Sequence, residues 1–313
     1  IGQERMGIVG ADEDVVTMAA AAALPLFERC DKSSIDTLLF ATETGIDQSK
    51  AAGVFVHGLL GLPSRCRVVE LKQACYSATA AVQMACAIVA REPDRKVLVL
   101  ASDIARYDLT SSGEATQGCG AVAMLIATNP KLIEIHPQSG RYTEDVMDFW
   151  RPNYRSTALV DGKYSTKIYL KALKQTYLDY LEQGGTSFEQ LDYLCYHLPF
   201  SRMAEKAQTQ LARCAGSTRD PSSRALMTAP TLTYNRTIGN SYTASIYIGL
   251  ASLFDHAAED LAGKQVGFFS YGSGCVAEFF SGTVVSGYRD NLHTQRHQSM
   301  IQARTELSYT QYL

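Results

Sequence analysis

The chain predicts an α/β protein whose sheets are covered by helices on both faces, and three observations predict it. Apolar runs at 35–42, 68–71, 96–102 and 120–128 are continuous rather than alternating, the pattern of strands buried on both sides. Segments with helical spacing lie between them, so strand and helix alternate along the chain. The order strand, turn, Ala/Ser-rich helix, strand, glycine turn, strand then occurs twice. Two similar halves, 1–130 and 131–313, each with a buried helix at its centre, describe a layered sandwich of helices and sheets.

Each element has its own warrant. Residues 12–28 (DEDVVTMAAAAALPLFE) read as a helix with an acidic first turn, kinked or ended at Pro25. A strand at 35–42 follows, then a helical stretch at 48–60 stopped by Gly61 and Pro63. The segment 67–91 opens with a short apolar strand. It continues as an Ala-rich helix with Val82, Met84, Ala85, Ile88 and Val89 at helical spacing. Strands at 96–102 and 120–128 flank a polar, glycine-rich loop, 106–118. Beyond residue 130 a long loop through Phe149-Trp150-Arg151-Pro152 leads to an amphipathic helix, 165–183. A strand at 193–196, a helix at 201–214 and a small-residue helix at 240–254 come next. The strands 266–270 and 276–285 then enclose the turn Tyr271-Gly272-Ser273-Gly274, and from 287 the chain turns polar, as a surface helix or tail does.

Composition narrows the function. With 313 residues, 46% hydrophobic and 19% charged, the chain is an ordinary globular sequence long enough for a large core. A net charge of -3 implies no basic face and argues against a nucleic-acid partner. The eight cysteines form no CxxC pair and no zinc spacing, which fits reduced thiols in a cytoplasm and no metal. No apolar run of membrane-spanning length and no signal peptide is expected, although the chain begins without Met.

Five features carry chemistry. Cys75 stands where the helix after the strand 68–71 should start. There unpaired backbone N–H groups and the helix dipole favour the thiolate, the nucleophilic form. Its bland alternative is a buried small hydrophobe. Glu43 follows the strand 35–42 as a general base or a capping residue. His197 follows 193–196 as a site group or a bonded core histidine. Asn240 opens a helix as a site group or an N-cap, and the turn 271–274 is a site loop or an ordinary hairpin. All stand at strand or helix ends, where open α/β sheets place ligands. Acyl transfer through a thioester needs these types: a soft nucleophile, a base for a carbon-bound proton, and donors for an oxyanion.

Across nearly its whole length the chain resembles the 3-hydroxy-3-methylglutaryl-CoA synthase family, condensing enzymes of the thiolase fold. The motifs are ATETGID (41–47), LKQACYSAT (71–79), SDIARY (102–107), GEATQGCGAVAM (113–124), YTEDVMDFWRP (142–152), CYHLPF (195–200), YNRTIGNSYTAS (234–245) and FSYGSG (269–274). The resemblance implies two thiolase-like halves in five layers, αβαβα, in a homodimer. The family carries a strand and more chain before the residue matching Ile1, and a stretch beyond the residue matching Leu313. It also implies roles. Cys75 takes acetyl from acetyl-CoA, Glu43 removes a methyl proton, and the enolate attacks acetoacetyl-CoA held by His197 and Asn240. The N–H groups of Cys75 and Ser273 form the oxyanion hole. Tyr107 and Thr79 lie by the acyl group, while Asp47, Asp103 and Asp148 match acidic positions that shape the site. The implied setting is the mevalonate route to isoprenoids, with CoA thioesters as substrates and no cofactor.

The alternative keeps the fold and changes the carrier. Relatives in polyketide assembly act on substrates tethered to an acyl carrier protein and share LKQACYS, but typically carry glycines where Ser201-Arg202-Met203 stand here. Arg202 suits a CoA phosphate. A non-catalytic thiolase-fold subunit is disfavoured because no catalytic position is substituted. An acetoacetyl-CoA thiolase would use Cys275 and has no place for the Glu43 motif.

Overall fold

In the computed structural model, which describes residues 1–313, helix α1 (Val15–Ala23) starts where the Asp14 carboxylate accepts the N–H groups of Val16 and Thr17. It passes into a 3-10 turn, Leu24–Glu28, at Pro25, because proline lacks the N–H that the α-helix needs. The first half continues with β1 (Ile35–Ala41), α2 (Ala52–Leu60), β2 (Arg67–Leu71), α3 (Ser77–Arg91), β3 (Lys96–Ile104) and β4 (Cys119–Ile126). Its sheet runs β2-β1-β3-β4, with the first three strands parallel and β4 antiparallel.

The second half begins with β5 (Ile133–Thr143), the short pair β6 (Phe149–Trp150) and β7 (Leu159–Val160), and α4 (Gly162–Glu182). It proceeds through β8 (Tyr193–Tyr196), α5 (Met203–Cys214), α6 (Pro221–Leu226), α7 (Thr233–Ile238) and α8 (Ser245–His256). Then come β9 (Gln265–Gly272), β10 (Val276–Val284), α9 (Thr294–Gln302) and α10 (Tyr309–Tyr312). The second sheet runs β5-β10-β9-β8, with only the β8–β9 pair parallel.

Alternation along the strands explains the layering. Leu39, Ala41, Val97, Val99 and Ala101 of the first sheet and Phe268 and Phe280 of the second face one shared core that holds α3 and α8. Ala78, Ala81 and Ala85 of α3 are fully buried there, small enough for two sheets to close over one helix layer. On the far faces, Phe40, Leu98 and Leu100 pack α1 and α2, while Phe269 and Phe279 pack α4 and α5. The order is therefore helix, sheet, helix, sheet, helix. Each such Leu or Phe contributes about 1.5–3 kcal/mol by leaving water.

Four details depart from the expectations. Residues 133–143 form an edge strand, not a loop. The segment is half exposed and broken by Pro137 at a register irregularity, so it never reads as a buried run. Residues 221–238 hold α6 and α7, each only six residues long and so too short to show periodicity. The helix read from 240 begins as a 3-10 turn, Tyr242–Ala244, and becomes α-helical only at Ser245. Finally, Ala74–Arg91 is long and apolar enough, by length and composition, to cross a membrane. The apolarity of that segment serves the shared core between the sheets.

Candidate active site

Strand β2 ends in a tight turn before α3. Ala74 adopts φ 43 in it, and Tyr76 is the N-cap, so Cys75 stands just ahead of the helix. The turn is braced locally: Gln73 N–H donates to Ser77 Oγ at 2.6 Å, and Ser77 Oγ donates to the Ala74 carbonyl at 2.9 Å. Cys75 is buried, and its Sγ donates to Glu43 Oε1 at 3.0 Å. Here the expectation of a thiolate is corrected. Burial first, and the Glu43 carboxylate second, push the Cys75 thiol well above its ordinary value. Position at a helix start does not outweigh a dry pocket that already holds a carboxylate.

Glu43 follows β1, where the chain is pinned by Asp103 at the end of β3. Asp103 is fully buried and its Oδ1 accepts from Thr42 Oγ1 at 2.7 Å, from Glu43 N at 2.9 Å, and from Thr44 N and Oγ1. Its Oδ2 accepts from Thr243 N and Oγ1 in the second half. One carboxylate thus ties the Glu43 backbone to the segment that carries Asn240. With its oxygens taken up by the protein, Asp103 positions Glu43 and is not a substrate-binding group. Burial, with Asp103 adding to it, pushes Glu43 up to about 8; Cys75 and Arg151 partly oppose the rise. A carboxyl near 8 is suited to proton exchange at neutral pH.

The second half closes on this pair through its glycine turn. A Cβ at Gly272 would lie 2.4 Å from the Gln73 carbonyl oxygen and 2.7 Å from Tyr76 Cβ, so only glycine lets the turns meet. Gln73 Nε2 donates to the Ser273 carbonyl at 3.2 Å across that contact. Behind the turn, Asp148 accepts from Gly274 N–H, Tyr271 Oη and Ser165 Oγ. Asp148 is fully buried; like Asp103 it shapes the site and is not free to bind substrate.

His197 lies one residue past the Tyr196–Phe269 pair. Its backbone is held by Phe269 and Tyr169, but its Nδ1 is buried with no hydrogen-bond partner. Burial lowers its pKa to about 3, so it is a neutral hydrogen-bonding group across the physiological range, without the partial protonation a free histidine keeps near pH 7. Asn240 Oδ1 accepts from Tyr242 N–H at 3.0 Å, a local turn rather than an α-helical N-cap. Tyr107 joins Cys75, Phe149 and Tyr242 in a small apolar cluster. Burial and the nearby Cys75 and Glu43 raise its hydroxyl, with Tyr242 and Asn240 as opposing partners.

Three expected residues stand elsewhere. Thr79 Oγ1 bonds Tyr247 Oη at 3.0 Å inside the shared core, tying α3 to α8 rather than meeting substrate. Asp47 is exposed and accepts from Ser49 and Lys50 N–H groups, a turn cap whose carboxylate is held low by those bonds. Arg202 is exposed on the approach to α5, 3.9 Å from Glu205, and touches neither Cys75 nor Glu43. Two residues went unassigned in the sequence. Arg151 acts on Glu43 from the 142–152 segment, and Tyr242 stands at φ 44 with its hydroxyl buried beside Tyr107. Both lie inside motifs, where an arginine or tyrosine gives no local sign of which way it turns. No three His, Cys, Asp or Glu side chains are placed to hold a metal.

Comparison with known proteins agrees over the whole chain. Residues 1–131 match the family described as hydroxymethylglutaryl-coenzyme A synthase N terminal, and 133–225 and 222–312 match its C-terminal counterpart. The chain is 42% identical to hydroxymethylglutaryl-CoA synthase of Enterococcus faecalis, over all of this chain and 81% of the relative. It is 34% identical to the polyketide biosynthesis 3-hydroxy-3-methylglutaryl-ACP synthase PksG of Bacillus subtilis, over 96% of this chain and 76% of the relative. A solved HMG-CoA synthase complexed with CoA superposes with a TM-score of 0.91 at 42% identity, covering 98% of this chain and 79% of that one.

Proposed function

The chain belongs to the hydroxymethylglutaryl-CoA synthase family, of thiolase-like fold, and from that we infer that it condenses acetyl-CoA with acetoacetyl-CoA and water to 3-hydroxy-3-methylglutaryl-CoA. One observation carries the chemistry: a buried thiol and a carboxyl of raised pKa in direct hydrogen bond, 3.0 Å apart. Cys75 attacks the acetyl thioester as its proton passes to ionised Glu43, which hands that proton to the departing CoA sulfur, so CoA leaves as a thiol and Glu43 is a carboxylate again. The Glu43 carboxylate then takes a methyl proton from acetyl-Cys75. The carbon so activated bonds to the ketone carbon of acetoacetyl-CoA, whose oxygen takes up the proton held by Glu43 and becomes the tertiary hydroxyl. Water cleaves the remaining Cys75 thioester and frees the product. Neutral His197, with its unpaired Nδ1, and Asn240 are the groups we assign to the ketone oxygen. The N–H groups of Cys75 and Ser273, on turns pressed together at Gly272, are assigned to the thioester oxygen. The reaction asks for no metal and no cofactor.

We further propose CoA as the carrier, a place in the mevalonate route to isoprenoids, and a cytoplasmic setting with reduced thiols. CoA is favoured over an acyl carrier protein by the higher identity to the CoA-using relative and by exposed Arg202 as a phosphate partner. With wild-type enzyme, acetoacetyl-CoA should outperform acetoacetyl on a carrier protein. Arg202→Glu should raise KM for both CoA substrates, less so in high salt. Faster turnover of the carrier-bound substrate sinks the CoA reading.

A homodimer is proposed through the open edge of β2. Val69 and Met84 are 43% and 52% exposed there, beside Leu39, Leu71 and Ile88, an apolar edge that a second copy would cover. Val69→Lys with Met84→Glu should halve the mass measured by sedimentation; an unchanged mass rejects this surface.

A further inference from the structure

We propose that Glu278 is a positioning residue for the nucleophile, acting through Tyr76 to hold the Cys75 turn against the second sheet. The residue is out of place by ordinary strand logic. In β10 it stands in the apolar run Val276-Ala277-Glu278-Phe279-Phe280, 1% exposed, on the face that looks into the shared core. An unpaired carboxylate in that position would be costly, so its partners define its use. Its Oε2 accepts from Tyr76 Oη at 2.6 Å, and Ser139, Arg141 and Gln83 flank it. Tyr76 directly follows Cys75 and is the N-cap of α3, so the phenol is a lever on the turn that carries the thiol.

Three ties cross from the second half to this turn: the Gly272 contact, the Gln73 to Ser273 hydrogen bond, and the Tyr76 to Glu278 hydrogen bond. The first two press on the peptide before and after Cys75. Only the third has a carboxylate acceptor, and at 2.6 Å it is the shorter of the two hydrogen bonds, so it specifies one orientation of the turn most strongly. The strain at Ala74, with φ 43, is the kind of conformation that persists only where surrounding contacts over-determine it. Released from Glu278, the turn relaxes and Sγ leaves its place against Glu43. The catalytic pair is thus set partly by a carboxylate that touches neither of its members.

This inference rests on the acyl-transfer reading, so its test includes a readout that does not. The rate of Cys75 alkylation by iodoacetamide, followed by peptide mass spectrometry, reports the thiol's setting without any CoA substrate. Acetylation by acetyl-CoA reports the proposed reaction. In Glu278→Leu and Tyr76→Phe, acetylation should fall roughly 10- to 100-fold, the scale of an ångström's misplacement. The pH dependence of alkylation should shift as Sγ moves from Glu43. The double variant should lose no more than either single one, and Glu278→Gln, which keeps an acceptor, should recover most of the rate. Wild-type rates and pH profile in a folded Tyr76→Phe, or losses that multiply in the double variant, overturn the proposal. Should Glu278→Leu fail to fold, Tyr76→Phe and Glu278→Gln still decide it. If wild-type Cys75 is not acetylated at all, the functional reading fails, and the alkylation profiles judge the positioning role by themselves.

Discussion

Cys75→Ser is expected to abolish the acetyl-enzyme and to lower turnover by roughly 10⁴-fold or more, the scale on which loss of a covalent nucleophile is felt. The hydroxyl is nearly isosteric and can still donate to Glu43, so the fold and the pair's geometry should survive. What is lost is nucleophilicity: burial already holds the thiol in its protonated form, and an alcohol in that place is harder still to activate. Peptide mass spectrometry after incubation of the wild type with acetyl-CoA should place the acetyl group on Cys75. Acetyl on Cys275 or Cys119 instead refutes the assignment. Burial raises Cys275 and Cys119 to about 11, and it raises Cys75 too, but neither of the first two thiols donates to a carboxyl that could take its proton, as Cys75 does to Glu43.

Glu43→Gln is expected to lower condensation by roughly 10²–10⁴-fold, the usual contribution of a general base. Acetylation should slow far less. The 3.0 Å hydrogen bond lets Glu43 receive the thiol proton too, so the role is wider than carbon–carbon bond formation alone. The pH profile gives the sharper signature. With Glu43 near 8, about a tenth of it is ionised at pH 7, and kcat/KM for condensation should climb with pH and flatten above about 8. That limb should vanish in Glu43→Gln. Stability moves the other way. Between the ordinary 4.5 and about 8 the folded chain keeps a proton that the unfolded chain has released, so stability falls as pH rises through that window. Glu43→Gln should flatten this part of a Tm-against-pH curve. His197→Ala should leave acetylation nearly intact and weaken condensation. Equal collapse of both steps in His197→Ala recasts that residue as structural; in Glu43→Gln it makes the carboxyl as necessary to thiol deprotonation as to condensation.

What the sequence by itself determined was the identity and order of the parts. Continuous apolar runs and their alternation with helices give the α/β class because a strand buried on both faces has no polar side to show. The motifs carry Cys75, Glu43, His197, Asn240 and Ser273 to strand and helix ends, and the structure does place them there. Tertiary structure decided everything that depends on what surrounds a group. Local position predicts a thiolate at Cys75, but desolvation and Glu43, brought from 32 residues away, reverse the prediction. Asp103, Asp148 and Thr79 look like site groups as residue types, yet their oxygens are spent on protein partners. Glu278 looks like a misplaced charge in an apolar strand until Tyr76, 202 residues earlier, is seen to meet it. A sequence states which donors and acceptors exist; only packing decides which find one another and which, like His197 Nδ1, are left without a protein partner.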